Sequence, residues 1–400
     1  MAWKNMWRNH NRTIITMASI FFAVILSVLA SSLKSGIFNN LVKNVVSFYT
    51  GYIQVHQKGY WDEQILDNSF KASKGAEQKI LQNQNVAAIT PRLESFALAS
   101  SEQLTKGSLV LGIDPEKENQ ITFLQNKLTK GSYLNAKEKA VLLADGLAKR
   151  LNLKVTDTIL LIGQGYHGAI AAGKYLIKGT VKFGSPDLNN KVLFMPLTTA
   201  QEFYSANGII SSYVLSLKNT KNIERTQKEI AQSLGKDYEV LSWEQMMPEV
   251  KQHIETDSNN MKYVQGILYL LICFGIFGTL LMMMVERKFE MGMLVAIGMK
   301  KTKLMLLLLF ESLFTVFTGC VLGIICSIPL VYYLKNYPIR MGGETAKAYE
   351  KFGFEAIFPT STEASIFIYQ GLMVLMIGLL LSLYPIYKVM TLNPVTAMKR

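Results

Sequence analysis

Glu286 and Glu290 lie one helical turn apart in the segment ERKFEMGMLVAIGMKKTK, residues 286–303, which separates two long apolar runs. On a helix, Phe289, Met293, Ala296 and Ile297 share one face and the two glutamates another. Such residues neither make nor break covalent bonds; an apolar stripe edged by carboxylates suits docking to a partner protein. Gly298 predicts the stop of this helix. Arg287, Lys288, Lys300, Lys301 and Lys303 put the segment on the cytoplasmic side by the positive-inside rule. A short amphipathic helix held between two spans is a lever, because a partner that pushes it moves both spans. The same charges also fit an ordinary cytoplasmic loop whose basic residues only set topology.

Residues able to carry catalysis are scattered. His10, His56, His167 and His253 have no ligand spacing among them, and no nucleophile–base set is visible. The sequence therefore predicts no catalytic, metal or cofactor site. Gly163-x-Gly165-x-x-Gly168 matches a dinucleotide fingerprint, which needs a helix directly after it. The residues that follow, AIAAGKYLIKGTVKF, alternate as a strand does, so this glycine cluster reads as a hairpin tip. No G-x-x-x-x-G-K-S/T occurs, so ATP binding by a P-loop is not expected. Cys273, Cys320 and Cys326 lie inside apolar runs and read as packing residues.

The elements that position the charged segment are hydrophobic spans. Half of the 400 residues are hydrophobic and 18% charged, and the apolar ones concentrate near the N-terminus and after residue 262. Four runs are long enough to cross about 30 Å of hydrocarbon, giving transmembrane helices at 13–35, 263–285, 304–334 and 364–387. Residues 1–12 form a cytoplasmic interfacial helix, with Lys4, Arg8 and Arg12 beside Trp3 and Trp7. The first apolar run is too long for a typical signal peptide and reads as an uncleaved span. Its column Ala23, Ser27, Ser31 and Ser35 favours close approach of another helix. Gly319 and Gly323, continued at Ser327, mark a contact face on the third span. Glu311, about two turns inside that span, is expected to face protein or water, with snorkelling to the interface as the alternative. Residues 335–363 make an extracytoplasmic loop and 388–400 a cytoplasmic tail.

Residues 36–262 are ordinary soluble sequence, placed outside the cytoplasm by the alternation of spans. Strand-like runs at 51–57, 87–100, 108–113, 141–144, 158–162, 175–183, 192–195, 212–217 and 238–242 mix with helical ones at 71–82, 146–152 and 223–234. From Trp243 to Tyr263 a polar helical stalk leads into the second span. The fold class is thus an α-helical membrane protein with four transmembrane helices and a large α+β extracytoplasmic domain between helices 1 and 2. The formal charge of +13 does not imply nucleic acid: the basic residues flank spans, where topology and anionic lipid account for them.

The order Glu286-Arg287-x-x-Glu290-Met291-Gly292-x-Leu294-x-Ala296-Ile297-Gly298, together with Tyr384-Pro385 and Leu392-Asn393-Pro394-Val395-x-Ala397-Met398-Lys399, resembles the FtsX-like permease domain of MacB-type ABC transporters. The external part is similar to the MacB-like periplasmic core domain. Gly51-Tyr52-Ile53-Gln54-Val55-His56 and Gly112-Ile113-Asp114-Pro115-Glu116 lean towards the lipoprotein-releasing, Lol-type branch. This resemblance implies that 286–303 is a coupling helix, with Glu286, Arg287, Glu290, Met293, Leu294, Ala296 and Gly298 contacting a separate ABC ATPase subunit, which binds the ATP and Mg. It implies a dimer of like or paired permeases, with Ala23, Ser27, Ser31, Glu311, Gly319 and Gly323 at packing or cavity positions and the first span beside the cavity or the partner permease. The expected setting is the bacterial inner membrane, and the expected cargo is a lipoprotein or other amphiphile. The lack of a fused ATPase domain weighs against the macrolide-exporter branch. Drug or peptide efflux, regulation of a cell-wall hydrolase, and a ligand-sensing receptor are the alternative functions.

Overall fold

The computed structural model describes residues 10–183, 186–344, 346 and 357–391; the interfacial segment up to residue 9 and the tail motif from Leu392 lie outside these. Two compact units result: Met1–Asn40, His253–Arg340 and Ile357–Arg400 form one, and Leu41–Gln252 with Met341–Ala356 the other.

The first unit is built on four long helices, α1 (His10–Val45), α2 (Pro248–Ala296), α3 (Lys301–Asn336) and α4 (Ala364–Met390). Each is long and apolar enough to cross a membrane. Ile20, Val24, Val28, Ile276, Leu280, Val316, Cys320 and Val374 form their shared core. The glycines of α3 allow α1 to come close: a Cβ on Gly319 would lie 3.0 Å from Ile20 Cβ, and one on Gly323 2.7 Å from Val24 Cβ. In lipid, where apolar contact with neighbouring helices offers little over contact with acyl chains, such close backbone approach is what holds helices together.

The lever differs from its sequence expectation. Residues 286–296 are not a short separate helix; they are the last turns of α2, which runs unbroken for 49 residues. Glu, Arg, Lys, Met and Leu are all good helix formers, so nothing in residues 286–294 interrupts the hydrogen-bond ladder. The stalk joins the same helix: after the short helix Trp243–Met246, α2 starts at Pro248 and continues into the span.

The second unit is organised on a mixed ten-stranded sheet. Its strands are β1 (Ile53–Gln57), β2 (Val86–Ser100), β3 (Thr105–Ile113), β4 (Leu128–Gly131), β5 (Ala140–Ala144), β6 (Thr158–Gln164), β7 (Ile170–Val181), β8 (Val192–Pro196), β9 (Ser212–Leu217) and β10 (Tyr238–Ser242). The order is β10-β1-β9-β2-β3-β8-β5-β7-β4, with β6 pairing β2 and β7. Only the β3–β8 and β5–β7 pairs are parallel. The glycine cluster at 163–168 forms the tip of the antiparallel β6–β7 hairpin, Gln164 pairing with Ile170, as the alternation predicts. Leu93, Val110, Leu143, Leu147, Leu161 and Leu193 form one side of the core, and Leu111, Leu142, Phe183 and Phe194 the other.

Candidate functional site: the helix elbow and the span interior

The turn between α2 and α3 is set by a Schellman cap. Gly298 takes φ +105°, its N–H bonds Val295 O at 3.1 Å, and Met299 N–H bonds Leu294 O at 3.0 Å. That pair of bonds satisfies carbonyls the helix end would leave open, and the positive φ is why a glycine stands there. Met299 and Leu294, the residues that flank such a cap, pack on a cluster of Met284, Met291, Leu304, Leu308 and Val389. Lys301 Nζ donates to Met390 O at 3.0 Å, which ties the start of α3 to the end of α4.

Residues 284–297 present two opposite faces. Phe289, Met293 and Ile297 are 53%, 42% and 77% exposed, and Glu286 and Ala296 are exposed with them, while Glu290 and Leu294 are half-buried. The other face, Met284, Arg287, Met291 and Gly292, is buried. Arg287 therefore differs from its expected place among partner-facing residues. Its Nη1 donates to Glu311 Oε1 of α3 at 2.5 Å, with both side chains almost fully buried. Glu311 thus faces protein, against an arginine near the end of α2.

Further along, the small-residue column of α1 is occupied by helices of the same chain. Ala23 and Ser27 are buried; Ser27 Oγ donates to Gln370 Oε1 of α4. Ser31 Oγ accepts from Gln265 Nε2 of α2 at 2.6 Å. Tyr269 joins the two, its hydroxyl accepting from Gln265 at 3.0 Å and donating to Gln370 at 2.5 Å. In this column, expected beside the cavity or a partner permease, Ser27 is wholly enclosed by its own chain. Sequence reading missed Gln265, Tyr269 and Gln370; three polar residues inside apolar runs were the available signal, since buried polar groups in lipid need partners. Beside this network, an almost wholly apolar cleft of about 340 Å³ opens between α1 and α2, lined by Ala30, Leu33, Ile37, Val264 and Leu268 and edged by Lys34.

Two family models match this chain. A MacB-like periplasmic core domain matches residues 13–233, and an FtsX-like permease C-terminal model matches residues 264–394. The chain belongs to the FtsX-like, MacB-type ABC transporter permeases. Among relatives of this permease, the lipoprotein-releasing system transmembrane protein LolC of Neisseria meningitidis is 20% identical over 81% of this chain and 78% of its own length. The macrolide export ATP-binding/permease protein MacB of Acinetobacter baylyi is 23% identical over 100% of this chain, which spans 59% of that relative. The periplasmic region of MacB from Actinobacillus actinomycetemcomitans superposes with a TM-score of 0.37 at 15% identity, covering 54% of this chain and 97% of that one. With four apolar helices and this family membership, the permease is a multi-pass protein of the bacterial inner membrane.

The two external motifs of the permease are structural. In Gly51–His56, Ile53, Val55, Gln54 and His56 are all buried; His56 Nδ1 donates to Ser211 O at 2.9 Å, and burial lowers the ring's pKa to about 4. Asp114 caps the helix Pro115–Thr122 through bonds to Glu116 N and Lys117 N. That helix delivers Glu118 to Arg92 of β2, a fully buried bidentate pair at 2.9 and 2.6 Å. Burial raises the pKa of neighbouring Glu94, against the pull of Arg92.

Proposed function

We propose that this permease converts ATP hydrolysis by a separate ABC ATPase subunit into movement of its extracytoplasmic domain, releasing a lipoprotein from the inner membrane. The observation that carries this reading is the match to a lipoprotein-releasing LolC over four fifths of both chains, spans and external domain together. Within the reading, the exposed stripe Phe289, Met293 and Ile297 is the surface that receives the ATPase, which binds the ATP and Mg. A second permease, like or paired, completes the complex. The apolar cleft between α1 and α2 is suited to an amphiphile: its lining resembles the lipid from which such a cargo comes.

The test is recovery of the complex from native membranes, followed by release of a triacylated lipoprotein from spheroplasts. ATPase and lipoprotein should co-purify with the wild type, and Glu290→Lys should lower ATPase recovery or release while insertion stays normal. Recovery with drug or peptide export and no lipoprotein would favour the efflux reading, which the match of this whole chain to 59% of MacB supports. Co-purification of a cell-wall hydrolase would favour the regulatory one.

A further inference from the structure

Arg287 stands on the helix end that carries the exposed stripe, but it points the other way. Phe289, Met293 and Ile297 are open; Arg287 is buried against α3, bonded to Glu311. The pair joins two helices that meet at a turn of four residues, Ile297–Lys300. Glu311 lies ten residues into α3, so the contact closes a triangle: α2 end, turn, α3. Without it, the glycine-based turn is the hinge and the packing of Met284, Met291, Leu304 and Leu308 is the remaining tie. Apolar packing is non-directional and permits sliding along the helix axes. A charge-assisted bond between buried groups does not, because separating them leaves an uncompensated charge. Among the described residues Arg287 Nε has no hydrogen-bond partner, so the guanidinium meets Glu311 through its Nη1 end.

We propose that Arg287 and Glu311 are positioning residues that lock the end of α2 to α3, so that a push on the exposed stripe reaches both spans as one rigid element. This rests on the permease reading above. Neither residue touches the ATPase or cargo; the pair sets how far the push travels.

The experiment uses the full chain purified with its ATPase subunit in nanodiscs. Spin labels at Val285 on α2 and Leu306 on α3, both exposed, report the α2–α3 distance by double electron–electron resonance, with and without Mg-ATP and vanadate. The wild type should give one narrow distribution that nucleotide does not change. Arg287→Gln and Glu311→Gln should each broaden it and make it shift on nucleotide binding, while ATPase recovery stays at the wild-type level. The swapped pair Arg287→Glu with Glu311→Arg should restore the narrow distribution, which a general folding defect would not allow. Single variants with wild-type distributions and normal ATPase recovery overturn the lock. A swap as broad as the single variants overturns it too. Failure of the wild type to recover any ATPase overturns the permease reading, and the proposal with it.

Discussion

Two buried arginine–glutamate pairs, one in each unit, are built differently. In the external domain, Arg92 meets Glu118 through two parallel bonds, and its Nη1 also donates to Tyr49 O at 2.5 Å and lies 3.5 Å from Glu94. In the membrane unit, Arg287 holds Glu311 by one nitrogen, and its Nε has no partner among the described residues. The first arrangement fixes the guanidinium in position and plane; the second fixes one end only. A fork resists both separation and rotation of its partners, whereas a single charged bond chiefly resists their separation.

Removing Arg92 should have the largest effect. Arg92→Met leaves Glu118 buried and unpaired, which costs about 3–5 kcal/mol. Thermal melting of the purified permease should show loss of the domain's transition, and Glu118→Gln should be milder, since a neutral amide leaves no unpaired anion. If Arg92→Met melts with the wild type, the fork is not what stiffens the domain.

Acid should expose the same intolerance. The His56 ring is neutral when folded, with a pKa near 4 against an ordinary 6.5. Below pH 6.5 the unfolded chain takes up a proton that the folded one refuses, so stability falls with pH and the loss is complete near pH 4. At about 1.4 kcal/mol per pH unit, roughly 3 kcal/mol is lost across that window. Glu94, its pKa raised by burial, acts in the opposite sense, from its ordinary value upwards. The difference between wild type and His56→Gln isolates the histidine: the variant should melt with a shallower pH dependence between 6.5 and 4.

The smallest effect tests the membrane side. Gly323→Ala puts a methyl 2.7 Å from Val24 Cβ, and overpacking of this kind costs roughly 1–3 kcal/mol. Cysteine cross-linking between α1 and α3 should weaken while the domain's melting is unchanged. A concerted loss in both units would mean that they do not respond independently.

The four long apolar helices, most strands of the domain and the Gly298 stop were legible in the sequence alone. All of these follow from local periodicity, from long apolar runs and from residues with special backbone freedom. The sequence did not determine that residues 286–296 continue α2, because hydropathy marks where lipid ends and says nothing about where a hydrogen-bond ladder ends. Nor did it separate Arg287 from Glu286 and Glu290. All three are charged residues of one short segment, and only the packing of α2 on α3 decides which is turned inward. Arg92 and Glu118, 26 residues apart in sequence, and Ser27 and Gln370, 343 apart, meet only when the chain closes on itself. A long-range pair leaves no local pattern, so the tertiary structure alone decided which polar groups are buried against one another.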